Sequence, residues 1–173
     1  MEPDVRSVLE SSSLENSSPF GMHGLQTVAR VLDVYDGDTV TLAVPFLGKV
    51  FACACRIKGI DTPEMKSRDP AEKARARAAR ARLLLYCCGE TVGDSADWPR
   101  ERVRSFLKDH CTFAWILCYE PDKYGRVLID LYNDPERAQS SASEVMLREG
   151  HAYAYDGGTK LSGSMAKLED PKA

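Results

Sequence analysis

The segment CRIKGIDTPE, residues 55–64, sets Arg56 in an extended run and then brackets Thr62-Pro63 with two carboxylates, Asp61 and Glu64. Carboxylates this close at a strand end repel each other, so the placement asks for a reason. An ordinary polar turn is one, because Asp, Thr and Pro are common turn residues. Two other segments hold residues of complementary type: DVYDGDTV, residues 33–40, and DKYGR, residues 122–126. If the fold gathers the three, the chemistry is that of an anionic substrate: guanidinium forks grip oxyanions, while carboxylates hold a cation or a water. Pro63 biases Thr62 toward an extended backbone, which projects Glu64 beyond it.

The elements that must position these residues follow from periodicity. TVARVLDVY and DTVTLAVPF alternate in the manner of strands and are joined through Asp36-Gly37, which reads as a hairpin with Gly37 supplying the positive φ of a tight primed turn. KVFACACRIKGI places Phe51, Cys53, Cys55 and Ile57 on one face and Ala52, Ala54, Arg56 and Lys58 on the other. Residues 71–85 change to helical spacing, with a small-residue stripe of Ala71, Ala74, Ala78, Ala81 and Leu85 and a basic face of Lys73, Arg77 and Arg80. That basic face is either a solvated surface or a nucleic-acid contact. An irregular segment with Gly89, Gly93 and Pro99 leads to a helix over 100–108, and TFAWILCYE and RVLIDLY flank the PDKYG turn as two more strands. A helix over 141–148 stops at Gly150, and AYAY is again extended. The order implies an α+β, mainly β fold: a five-stranded barrel of OB type with two to three helices, an architecture whose strand face and loops commonly bind oligonucleotides.

A chain of 173 residues with 43% hydrophobic residues and net charge -3 suits one domain with its own core. We read residues 1–24 as a disordered leader, 25–156 as the domain and 157–173 as a flexible tail. Nothing in the polar leader resembles a signal peptide or a membrane span, so the expectation is an intracellular chain, cytoplasmic or nuclear, with no membrane partner. The six cysteines, at 53, 55, 87, 88, 111 and 118, lack zinc spacing and comfortable disulfide partners. Buried reduced thiols are the plain reading; a redox or zinc role for Cys87, Cys88, His110 and Cys111 is the other.

Taken in order, DVYDGDTV, CRIKGIDTPE and DKYGR resemble the three signature segments of the staphylococcal nuclease (thermonuclease) family, over roughly residues 26–156. The resemblance implies a calcium-dependent phosphodiesterase, an endonuclease that hydrolyses single-stranded or locally melted DNA and RNA and leaves 3′-phosphate ends. It makes Asp38, Asp61 and the carbonyl of Thr62 the Ca2+ ligands, Glu64 the residue that holds the attacking water, and Arg56 and Arg126 the grip on the scissile phosphate. Lys123 and Tyr124 match residues that contact the terminal phosphate, and Tyr153 and Tyr155 the family's paired nucleotide-binding tyrosines. The alternative on the same barrel is a non-catalytic nucleic-acid- or protein-binding module, which has no need of all five charged positions. Two departures stand out. The family prototype continues into a long C-terminal helix where this chain has DGGTKLSGSMAKLEDPKA, and the 89–110 segment is longer than a simple connection and suits a cap or partner surface.

Overall fold

A computed structural model describes residues 4–156. Strands β1 (Gln26–Val34), β2 (Thr39–Phe46) and β3 (Lys49–Ile57) form an antiparallel meander, and β5 (Phe113–Pro121) and β6 (Val127–Tyr132) a second antiparallel pair. The barrel closes in the order β1-β2-β3-β6-β5: β1 pairs with β5 antiparallel, and β3 meets β6 in a short parallel seam of Cys55, Arg56 and Ile57 with Val127, Leu128 and Ile129. Two short strands, β4 (Ile60–Asp61) and β7 (Tyr153–Ala154), pair beside it. The expected five-stranded barrel of the α+β class is therefore present. Alternation places Val31, Val40, Leu42, Val44, Cys55, Ile57, Ile116, Ile129 and Leu131 in the interior.

Among the described residues four helices accompany the barrel, one more than expected. The additional one is α1 (Val5–Glu10), capped by Asp4 and without a buried residue. It lies in the stretch expected to be disordered, and the packed domain begins before residue 25: Met22 lies against the core, and the Gly24 N–H donates to the Cys118 carbonyl at 2.8 Å. Helix α2 (Pro70–Cys88) starts at an Asp69 cap with Pro70 in its first turn. After a 3-10 turn at Gly89–Val92 comes α3 (Arg100–Asp109), then α4 (Ala142–Arg148), which opens on a Ser141/Glu144 capping box and is followed by Gly150 at φ 74. The expected tail lies outside the described residues. Among the described residues no helix is long and apolar enough to cross a membrane.

The buried face of α2 differs from the expected stripe. Ala76, Ala79, Arg80, Leu83 and Cys87 face inward, whereas Ala71 and Ala74 are exposed, so the helix is rotated by about half a turn relative to expectation. Alanine occurs all round this helix, and the large side chains Leu83, Leu84 and Tyr86 near its end set the rotation. Arg80, expected on the solvated basic face, is 5% exposed and donates to the Trp98 carbonyl. All six cysteines are free, and burial holds the Cys55 thiol up at about 12, with Cys53 and Cys118 adding to it.

Gly37 is required for a reason other than its φ, which is not positive. A Cβ there would lie 2.8 Å from Ala79 Cβ and 2.8 Å from Thr62 Cγ2, so the β1–β2 turn rests directly on α2 and on the segment after β4. Gly37→Ala is expected to cost about 1–3 kcal/mol through overpacking. A thermal melt checks it, and an unchanged Tm would mean that the turn has room to move off α2.

Candidate functional site

Three segments meet at one end of the barrel. Asp38 leaves the β1–β2 turn, and its carbonyl accepts from Ile57 N–H at 2.8 Å, which ties it to β3. Its carboxylate is filled by neighbours: Oδ1 accepts from Thr39 Oγ1 at 2.8 Å, and Oδ2 from Thr62 N–H and Oγ1 at 3.1 and 3.2 Å. Arg56 points off the core face of β3, as the alternation requires, yet is only 8% exposed, with Ile60 and Asp61 of β4 and the Tyr155 ring against it. Its Nη1 donates to the Ile60 carbonyl at 3.0 Å, and its Nη2 to Asp61 Oδ1 at 2.8 Å, while Asp38 Oδ2 lies 3.5 Å from the same Nη2. Asp38 and Asp61, 4% and 7% exposed, thus converge on a single guanidinium nitrogen. Burial disfavours the Arg56 charge, but the charges of Asp38 and Asp61 overcome it and raise its pKa.

The second half of the barrel contributes Arg126. The turn after β5 closes through Asp122, whose carboxylate accepts from the backbone N–H groups of Tyr124 and Arg126 at 2.9 and 3.0 Å and from Arg126 Nε at 2.7 Å. Burial alone would raise the Asp122 pKa; these hydrogen bonds and the Arg126 charge bring it below the usual carboxylate range. Arg126 Nη1 donates to Thr39 Oγ1 at 3.3 Å. The Thr39 hydroxyl therefore links Arg126 to Asp38. Tyr124 is 72% exposed, with Lys123 Nζ 5.1 Å and Arg126 Cζ 5.6 Å from its ring centroid.

The paired tyrosines come to the same place by different routes. Tyr153 sits opposite Asp61 in the β4–β7 register, whereas the Tyr155 ring lies 5.0 Å from Arg56 Cζ, and the Tyr155 N–H donates to the Gly59 carbonyl at 3.0 Å. Glu64, after Pro63, stands exposed at the edge, its carbonyl accepting from Ser67 N–H at 3.1 Å. The structure thus brings Asp38, Arg56, Asp61 and Thr62 into direct contact, joins Arg126 through Thr39, and sets Glu64, Lys123 and Tyr124 toward solvent.

Sequence reasoning missed Thr39, Asp122 and Asp36. The first two flank charged residues that it did single out, and only the geometry gives them their roles. Asp36 Oδ1 accepts from the Asp38 N–H at 3.1 Å, and burial, with the Asp38 charge added, pushes the Asp36 carboxyl up to about 7. An acid whose folded pKa exceeds its unfolded one binds more protons in the folded state, so stability falls as pH rises from about 4 to about 7 and stays level above. Asp36→Asn keeps the acceptor and removes that penalty. Its Tm should exceed the parent's at pH 8 by several degrees and match it at pH 4; equal melts at both would place the Asp36 charge in water.

The donor set answers what cation would suit the site. Among the described residues no three His, Cys, Asp or Glu side chains gather as a metal group. Asp38 and Asp61 offer carboxylate oxygens alone, with Thr62 alongside. Oxygen donors of this kind are those of a hard cation rather than a soft metal, and in this structure Arg56 supplies the positive charge between the two carboxylates. No protein-family model and no curated protein matches the chain.

Proposed function

We propose that the protein is a calcium-dependent nuclease that hydrolyses phosphodiester bonds in single-stranded or locally melted DNA and RNA. The observation that carries this reading is the convergence of Asp38, from the β1–β2 turn, and Asp61, from β4, on one nitrogen of a buried arginine. A carboxylate pair held that way, with a second arginine linked to it through Thr39, sets oxygen ligands for a cation beside an oxyanion grip at Arg126. It also supports the resemblance to the thermonuclease family.

On this reading Asp38, Asp61 and the Thr62 carbonyl hold calcium, which neutralises phosphoryl charge when bound. Arg126, and Arg56 once it gives up its bonds to Asp38 and Asp61, hold the non-bridging oxygens and stabilise the negative charge that grows on them during attack. Glu64, exposed beside this cluster, orients a water and accepts its proton. The bond to the 5′ oxygen breaks and the phosphate stays on the 3′ side. Lys123 and Tyr124 extend the contact to a terminal phosphate, and Tyr153 and Tyr155 to the nucleotide. Reading phosphate rather than base edges suits broad DNA and RNA tolerance.

The test is digestion of single-stranded DNA with calcium, with magnesium and with a chelator. Calcium should support cutting, the chelator abolish it, and magnesium support it poorly, since that ion demands a stricter geometry and releases water reluctantly. Oligonucleotide binding without cutting in calcium would identify a binding module instead.

A further inference from the structure

We propose that Arg100 and Arg104, on the helix of the 89–110 segment, form a second phosphodiester-binding site that holds the nucleic-acid strand beyond the scissile position. The identity of the anion rests on the nuclease reading; the site itself rests on its own geometry.

Helix α3 packs on β1 and buries Val103 and Leu107. Arg100 and Arg104 are one helical turn apart and therefore lie side by side. Both end on the same oxygen of Asp33 in β1: Arg100 Nη2 and Nε donate to Oδ2 at 2.7 and 2.9 Å, and Arg104 Nε donates to it at 2.9 Å. Asp33 is 2% exposed, and its other oxygen, Oδ1, is buried without a hydrogen-bond partner. The arginine side chains, by contrast, are 41% and 54% exposed. Arg104 uses its Nε on Asp33, so among the described residues its two terminal nitrogens have no hydrogen-bond partner. Arg100 is held further by the Tyr35 ring, 4.8 Å from its Cζ.

One arginine is enough to balance a buried carboxylate. A second brought to the same oxygen adds repulsion between guanidinium groups and leaves one positive charge in excess, facing solvent. Two planar forks pinned in place by a buried anion, with donor edges turned outward, are preorganised for the oxygens of a phosphodiester. Asp33 and Asp38 are five residues apart on one strand and its turn, so their backbones are at most about 17 Å apart. A short single strand can therefore span both sites. This gives the long 89–110 segment a purpose: it brings the arginine pair alongside β1, the strand that leads into the turn carrying Asp38.

The experiment measures binding without cutting. A non-cleavable phosphorothioate oligonucleotide of about 15 nucleotides, in chelator, is titrated at several salt concentrations with the parent, with Arg104→Gln, and with the triple variant Asp33→Asn/Arg100→Gln/Arg104→Gln. Arg104→Gln leaves Asp33 paired to Arg100, and the triple variant removes the buried charge with both partners, so each keeps a route to a folded protein that a thermal melt verifies. The slope of log affinity against log salt should become shallower by about 0.7 in both variants, because each removes the one positive charge in excess, and similarly for every base sequence. Parent-like slopes in both folded variants overturn the site even if the protein cuts DNA. Shallower slopes in a protein that never cuts would leave the site standing and remove the nuclease reading. A parent that binds no oligonucleotide overturns both.

Discussion

Replacing Arg126 by lysine should lower turnover on single-stranded DNA by about 10²–10³-fold while leaving affinity for an uncleaved oligonucleotide near that of the parent. Arg126 is fixed from two sides, by Asp122 at 2.7 Å on Nε and by Thr39 Oγ1 at 3.3 Å on Nη1. The plane of its fork is therefore set before any substrate arrives, with no reorganisation left for the reaction. Lysine keeps the positive charge, so general attraction for a polyanion persists. It cannot reproduce a planar group that bonds Asp122 through Nε and Thr39 through Nη1 while its Nη2 donates to a phosphate oxygen. Turnover is read at saturating calcium and substrate, beside oligonucleotide affinity and a melt. A rate within a few-fold of the parent, with fold and calcium binding intact, would remove Arg126 from the transition state and favour the binding module.

Arg56→Gln should be the most destabilising of these substitutions in calcium-free buffer, by about 3–5 kcal/mol, which lowers Tm on the order of 10 °C. The guanidinium is the shared counter-charge of Asp38 and Asp61, both nearly buried, and it also satisfies the Ile60 carbonyl. Glutamine replaces one donor and none of the charge, so two carboxylates are left facing each other out of water. Calcium should return part of the lost stability, because the charge it brings acts on the same carboxylates. A loss below about 1 kcal/mol, unaltered by calcium, is the size expected of an exposed pair and would show that Asp38 and Asp61 do not depend on Arg56.

Strands were legible because their signal is strict. Val40, Leu42 and Val44 alternate, and a one-residue slip would expose all three. The opposite face of β3, with Arg56, followed from the same rule. Helix α2 was legible in extent and not in rotation, since alanines are acceptable on either side and Leu83 and Tyr86, which decide the matter, lie near its end. Arg80 was misplaced with it: a charge in a basic run reads as solvated unless one knows that Trp98, eighteen residues on, offers its carbonyl. At Gly37 the reading named the right residue for the wrong reason, because a close approach to Ala79 and Thr62 is tertiary and leaves no local trace. Asp33 is the clearest case of what sequence withholds. It reads as one more polar residue on a strand, and only the packing of α3 reveals that two arginines end on it.

The parallel seam between β3 and β6 also bears on when the site comes into being. It pairs Cys55 with Val127 and Ile57 with Ile129, across an intervening stretch that contains two helices and β5. Contacts so distant in sequence form slowly, after local hairpins and helices. Asp38, Arg56 and Asp61 leave the ribosome before Arg126 is synthesised, and Tyr155, whose ring lies over Arg56, comes later still. The carboxylates and Arg56 are thus synthesised before the partner that joins them, and on the nuclease reading the site is complete only once the barrel has closed.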